Sequence, residues 1–305
     1  MRYKSASSYY RSIFGEKVYR IALDAGCTCP NRDGTKGFGG CIFCSGSGSG
    51  EFAADKDLTI AEQLSQAKKI VEKKCRSGKY IAYFQNFTNT YGDEQILREK
   101  YLAALSDPEI VGIAIATRPD AISERMYEIL KELSDRTRVW IELGLQTMHE
   151  KSALWMNRGY TLPVFEEAVT RLSKISLDLE VIVHVIMDLP CESREEMIET
   201  IDYCASLPIA GIKIANLNVL SGTRLADEYR KDPFPLMEMD DYIRFLGGLI
   251  EHLRPDITVY RLTGDGAKKS LIAPLWVSDK RKVRNRITEL FELYDIMQGR
   301  EYKAR

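Results

Sequence analysis

Along the chain, short apolar runs alternate with longer stretches in which apolar residues recur every three or four positions. The runs are Val18–Leu23, Tyr80–Phe84, Val111–Ala116, Val139–Leu143, Val181–Met187 and Ile212–Val219, with a late one at Ile257–Leu262. Most are almost continuously apolar, which predicts parallel strands covered on both faces. The stretches between them predict helices near Thr59–Cys75, Glu94–Leu105, Ser123–Leu133, Leu162–Ile175, Ser193–Leu207 and Met239–Leu253, and a basic helix from Lys280. Thr59 with Glu62 and Ser193 with Glu196 are spaced as capping boxes, and Ser123 stands ahead of Met126 and Ile129. Six strand–helix units with right-handed crossovers make an α/β fold, a partial (βα)6 barrel of the TIM type. The barrel is expected over 18–223. A basic and aromatic segment, 1–17, precedes it. A C-terminal extension, 224–305, is expected to close the barrel with a strand and helices and to reach toward a substrate.

Unusual polar residues follow the strands and do not precede them. They are Gln85–Thr90, Thr117–Asp120, Glu142 with Gln146 and Thr147, Asp188–Glu192, Ser221–Thr223 and Thr263–Gly266. In such barrels the C-terminal strand ends build the active site, so these segments should converge on one mouth.

Composition changes this picture little. The chain has 305 residues, 45% hydrophobic and 29% charged, with a formal net charge of −1. An anionic partner must therefore be met by a local basic patch, since the whole molecule offers no attraction. No apolar run reaches the roughly 18 residues of a membrane span. The first ten residues are polar and tyrosine-rich, without a signal-peptide core. The expected setting is cytoplasmic, where clustered cysteines suggest metal or redox chemistry before disulfides.

Four of the seven cysteines lie within Cys27–Cys44. Three explanations compete: four sulfurs in a closed zinc site, three sulfurs on a [4Fe–4S] cluster with one iron left open, or buried inert thiols. The position favours the cluster. The cysteines directly follow the first strand, on the side of the mouth, and glycines at 34, 37, 39 and 40 let backbone amides approach sulfide. The expected ligands are Cys29, Cys41 and Cys44. Cys27 stands beside them, Cys75 and Cys204 fall in helical patterns, and no second triplet remains for an auxiliary cluster.

The pair Cys41-Ile42-Phe43-Cys44 resembles the second half of the radical S-adenosylmethionine (SAM) signature, with eleven residues upstream of it to Cys29. Further motifs are Thr28–Gly34, Phe87–Tyr91, Thr117–Asp120, Glu142–Thr147, Asn157-Arg158-Gly159 and Arg261–Gly266. As an ordered set the chain is similar to a short bacterial radical SAM family in the branch around the catalytic subunit of Elongator. The resemblance implies a [4Fe–4S] cluster and S-adenosyl-L-methionine as cofactors. It also implies reductive cleavage of the latter to a 5′-deoxyadenosyl radical that abstracts hydrogen. It places Phe84-Gln85-Asn86 at the methionine amino group, where this chain departs from the usual Gly-Gly-Glu, and Thr88 among the cofactor-binding residues. Glu142 is expected at the ribose, Gln146 at the ribose or the methionine end, Arg158 at the carboxylate, and the loop of Asp188 beside the adenine. Plainer roles compete: Glu142 paired with an arginine, Arg158 a solvated cation, Asp188 a cap for the helix after Ser193, and His184 a core histidine. His149 and His252 are expected at the surface. Cys191, where relatives usually have glycine, is expected to be a small residue that fits or a thiol near the mouth.

Substrate candidates are Arg118, Asp120, His184, Arg261 and Asp265, from strand ends facing the mouth. Two basic runs add to them. One is Lys280, Arg281, Lys282, Arg284 and Arg286. The other mixes Arg2, Lys4, Arg11, Lys17 and Arg20 with Tyr3, Tyr9, Tyr10 and Tyr19. Cations among aromatics suit phosphates and unstacked bases. The resemblance implies a tRNA substrate, with removal of the carboxymethyl group from 5-carboxymethylaminomethyl-uridine at the wobble position. It further implies a flavodoxin or ferredoxin as electron donor and a separate methyltransferase downstream. Ala215 and Asn218 stand where relatives often carry histidines, which keeps open a radical SAM enzyme acting on a metabolite or protein. A non-catalytic iron–sulfur or zinc protein is the third alternative.

Overall fold

In the computed structural model, which describes residues 2–48, 55–72, 78–264, 266 and 268–304, the apolar runs become parallel strands. They are β1 (Tyr19–Leu23), β2 (Tyr80–Phe84), β3 (Ile110–Thr117), β4 (Arg138–Gln146), β5 (Leu179–Met187) and β6 (Gly211–Asn216). The run expected as one strand over Ile212–Val219 divides. β7 (Val219–Leu220) leaves the sheet and pairs antiparallel with β9 (Leu271–Ala273). β8 (Thr258–Arg261) lies parallel to β6, giving a seven-stranded sheet in the order β1-β2-β3-β4-β5-β6-β8. The late strand is thus a seventh stave of the barrel.

The helices are α1 (Ala6–Phe14), α2 (Ile60–Glu72), α3 (Glu94–Leu105), α4 (Glu124–Ser134), α5 (Glu150–Trp155), α6 (Leu162–Leu172), α7 (Arg194–Ser206), α8 (Arg224–Lys231), α9 (Met239–His252) and α10 (Lys280–Leu293). Expected caps form. Ser193 and Glu196 bond reciprocally at 2.7 and 3.2 Å, as do Thr59 and Glu62 at 2.8 and 3.3 Å. Each satisfies backbone donors that a helix start leaves open. Sheet and helices bury one continuous core between them, including Ile113, Leu143, Val183, Ile201 and Leu249.

Inside the barrel the packing differs. Helix α1 closes the N-terminal end, with Tyr10 edge-on to Trp140 at 5.5 Å and Phe14 at 6.5 Å. Ile81, Ala114 and Ile182 complete this plug, and a parallel bridge from Ser5 to Val259 ties it to β8. This corrects the expectation that the N-terminal tyrosines stack on bases. Tyr9 donates to Glu180, Tyr10 is buried and Tyr3 packs on Phe291. Arg20 likewise points into the lumen, away from any outer surface. The polar mouth therefore lies at the opposite end from a sealed, aromatic base.

Candidate active site

Cys29, Cys41 and Cys44 line one chamber of about 310 Å3 at the C-terminal strand ends. The loop that carries them is braced from several sides. Arg32 donates to the carbonyls of Cys44 and Ser45. The Asn157 amide donates to the carbonyls of Phe38 and Gly40 at 3.1 and 2.8 Å. Asn31 is buried and donates to the carbonyl of Asn157 at 2.7 Å. A Cβ on Gly37 would lie 2.2 Å from the Asn31 oxygen, and one on Gly159, which stands at φ +80°, would lie 2.8 Å from it. Only glycine fits either place.

No set of three His, Cys, Asp or Glu side chains among the described residues converges tightly enough for a single ion. The three cysteines share a chamber wall instead, as a polynuclear cluster with one thiolate per iron requires. Burial pushes the Cys41 thiol up to about 12, and the neighbouring Cys44 and Cys29 add to the effect. Such a thiol ionises only beside a metal's charge. The donor set fits a cluster.

Several expected side chains are engaged elsewhere. Arg158 is buried and donates to the carbonyls of Leu145, Thr147 and Tyr160 and to Glu150. All five guanidinium donors are occupied, so the expected clamp on a methionine carboxylate is corrected to an internal brace. Replacing it, as in Arg158→Met, leaves those carbonyls buried without donors. Thermal or urea unfolding should show a loss of at least about 2 kcal/mol, with weaker iron retention.

Asn86 donates to Asp24 behind the chamber wall. Asp188, at φ +67°, accepts from the Met237 amide at 2.7 Å. Neither side chain lines the chamber, and Ser193, not Asp188, caps α7. Cys191 also lies outside it, donating to Ser152 at 3.2 Å. Arg118 reaches the chamber but forms a two-bond pair with Asp120, both at 2.9 Å, and donates to the Arg158 carbonyl. Lys36 adds a second cation to Asp120. This pair is internally neutralised and is corrected from substrate ligand to structural pair. Cys204 is core. His149 and His252 are half-buried and bonded to the Glu196 carbonyl and to Asp202. Asp265 and Cys75 lie outside the described residues.

Gln85, Thr88, Gln146 and His184 do line the chamber, as do Ala215 and Asn218. Gln146 stands at φ +69° with its amide folded over Gly144. Above the floor the inward positions are small (Ala116, Gly144, Ala215), and this makes the room.

The floor is charged. Glu142 is 1% exposed and holds Arg20 from β1, Tyr83 from β2, His184 from β5 at 2.9 Å and Lys213 from β6. This replaces the expected ribose contact with a cross-lumen ion cluster. Burial opposes Glu142's charge, but Lys213, Arg20 and the His184 bond outweigh it and hold the carboxyl well below the usual range. Burial, helped by Lys213, lowers His184 to about 4, so it is neutral near pH 7. Burial also lowers Lys213 to about 7 against the pull of Glu142, with Arg20 and Arg261 pushing the same way as burial. Lys213 was missed in the sequence. A lone lysine between Ile212 and Ile214 in a central strand was the available signal, because period-two alternation turns it inward.

A partial parallel barrel with three thiols at its open end and a shaped chamber beneath them defines a class of cluster-bearing barrel enzymes. The radical SAM superfamily model matches residues 29–204, and the radical SAM C-terminal domain model matches 209–292. The chain belongs to the radical SAM superfamily, and its cofactors are a [4Fe–4S] cluster and S-adenosyl-L-methionine. It is 40% identical to protein YtqA of Bacillus subtilis (strain 168) over 99% of this chain and 93% of that one. It is 23% identical to a tRNA-2-methylthio-N(6)-dimethylallyladenosine synthase of Chloroflexus aurantiacus, over 59% of this chain and 38% of that protein. In fold it is similar to Elp3 of Methanocaldococcus infernus, with a TM-score of 0.68 at 15% identity. That match covers 92% of this chain but 64% of the Elp3 chain, less than two thirds of its length. No helix among the described residues is long and apolar enough to cross a membrane.

Proposed function

We propose that this enzyme removes the carboxymethyl group from 5-carboxymethylaminomethyl-uridine at the wobble position of tRNA. In this reading Cys29, Cys41 and Cys44 hold the cluster, and Gln85, Thr88 and Gln146 orient S-adenosyl-L-methionine beside it. Together the cofactors supply a radical able to abstract an unactivated hydrogen; a flavodoxin or ferredoxin provides the electron, and a methyltransferase takes the product. The protein's own residues position, exclude water and neutralise charge.

The observation that carries the reading is that three thiols and the Glu142, His184 and Lys213 cluster line one small chamber. Two further points support it. Relatives include a protein whose name states action on tRNA. A second cleft of about 710 Å3 runs beside the β8 edge, bordered by Arg2, Tyr3, Lys280, Arg284 and Phe291, and Arg261 lines both it and the chamber. The cations along this cleft suit the phosphates of a nucleic-acid strand leading to the mouth. The C-terminal extension would thus contact the substrate.

The test is nucleoside mass spectrometry of tRNA from a strain lacking this gene. Accumulated 5-carboxymethylaminomethyl-uridine, with its aminomethyl derivatives gone, is expected. An unchanged wobble-uridine profile overturns the tRNA reading and leaves an enzyme acting on a metabolite or protein.

A further inference from the structure

At the end of β6 a short chain of amides fixes the polarity of one chamber wall. The backbone N–H of Gly264 donates to Oδ1 of Asn216 at 2.9 Å. Both hydrogens of the Asn216 amide are used in turn, on the Leu217 carbonyl at 3.1 Å and on Oδ1 of Asn218 at 2.8 Å. A backbone N–H only donates and a carbonyl only accepts, so neither side-chain amide can be turned round without setting like against like. Asn216 is 2% exposed, with both ends engaged. Asn218 is half-buried and lines the chamber, and its oxygen is committed. What it presents is therefore Nδ2, a donor from which no described residue accepts.

The loop after β8 holds this donor in place. A Cβ on Gly264 would lie 2.4 Å from Nδ2 of Asn218, and one on Gly266 would lie 3.5 Å from it. The backbone at Gly264 is not left-handed, so glycine is needed there for the close approach alone. On its other side Asn218 adjoins β7, which is anchored by its pairing with β9. Little ordering remains to be done on binding. The groups of the floor, Glu142, His184 and Lys213, hold one another. Asn218 is a neutral donor further toward the mouth.

We infer that Asn218 reads the substrate base by donating a hydrogen bond to a ring carbonyl oxygen, which, resting on the wobble-uridine reading, is O4 of uracil. O4 flanks C5, the atom that carries the reacting arm, whereas O2 lies on the far edge of the ring. A base whose arm enters the chamber therefore brings O4 to the wall first. Cytosine has an amino group in place of O4. Two donors then face each other, the bond is lost and both are left unsatisfied. Asn218 thus selects uridine against cytidine, a choice that the arm alone cannot make.

The experiment compares two anticodon stem–loop RNAs, one bearing 5-carboxymethylaminomethyl-uridine at the wobble position and one bearing the cytidine with the same arm. Both are titrated, without reductant, into reconstituted enzyme loaded with S-adenosyl-L-methionine, at equal iron content. The parent should prefer the uridine RNA by roughly 5- to 150-fold, the cost of leaving a buried donor unsatisfied. Asn218→Asp keeps the shape and the oxygen that accepts from Asn216, and turns the donor into an acceptor. It should reverse the order, because a carboxylate accepts from the cytosine amino group. Asn218→Ala should bind both RNAs alike, and it carries the test if the aspartate variant does not fold.

Equal binding of the two RNAs by the parent, or a uridine preference undiminished in both variants, overturns the role of Asn218 and leaves the tRNA reading standing. If the parent binds neither RNA, the tRNA reading falls and the contact to O4 falls with it. Equilibrium dialysis of S-adenosyl-L-methionine separates base from cofactor. Unchanged retention in the variants is expected. Weakened retention with the uridine preference intact places the amide on the cofactor and overturns its role at the base.

Discussion

Cys41→Ala, prepared without air and reconstituted with iron and sulfide, should lose the brown chromophore, and 5′-deoxyadenosine production under dithionite should fall to background. The reasoning is geometric. The three thiols share a chamber wall, and the loop between them is fixed by Asn31, Arg32 and Asn157. Among the described residues, neither of the other cysteines on this side of the barrel can replace a lost sulfur. Cys27 packs against the core, and burial pushes its thiol up to about 12. Cys191 lies outside the chamber, against Ser152. Full iron content in the variant would refute the ligand assignment.

Glu142→Gln should be the most damaging change away from the cysteines. Removing one partner of a buried ion pair typically costs about 3–5 kcal/mol, because the other charge remains buried. Here the uncompensated cations are Arg20 and Lys213, reached from opposite walls of the lumen. A melting temperature lower by on the order of 10 °C follows. The penalty depends on pH. In the parent, Lys213 titrates near 7 in the folded state and near its ordinary, higher value when unfolded. Without Glu142 its folded value drops further, so Lys213 can shed its proton and part of the strain. The deficit relative to the parent should therefore narrow as pH rises toward 7 and then level off, since Arg20 cannot deprotonate. A deficit independent of pH, measured by calorimetry between pH 5 and 8, would show that Lys213 is not coupled to Glu142.

The barrel was legible in the sequence because parallel strands buried on both faces need nearly unbroken apolar runs, and β2 and α3 fall where the pattern placed them. Thiol spacing revealed the cluster loop for a related reason, since metal chemistry tolerates few substitutes. Inward-pointing charge was harder to see. Arg20 and Lys213 are single polar residues inside apolar strands, and neither spacing nor composition says that they meet a glutamate 122 and 71 positions away. The N-terminal tyrosines misled because an aromatic, basic segment has the same composition whether it stacks on bases or corks a barrel. The motif Asn157-Arg158-Gly159 was noticed for what it is near, yet its task is mechanical: it holds the cysteine loop in shape.

The cork has a further consequence for how the chain matures. Ser5 bridges Val259, and Arg2 pairs with Asp295, so these early residues dock on residues made much later. At roughly 5–20 residues per second on the ribosome, α1 waits about 13–50 s for β8 to emerge. During that interval Trp140 and Ile182 line an unsealed tube with an apolar opening. Removing α1 or β8 prolongs that exposure indefinitely, and such chains should aggregate before they can be loaded with iron.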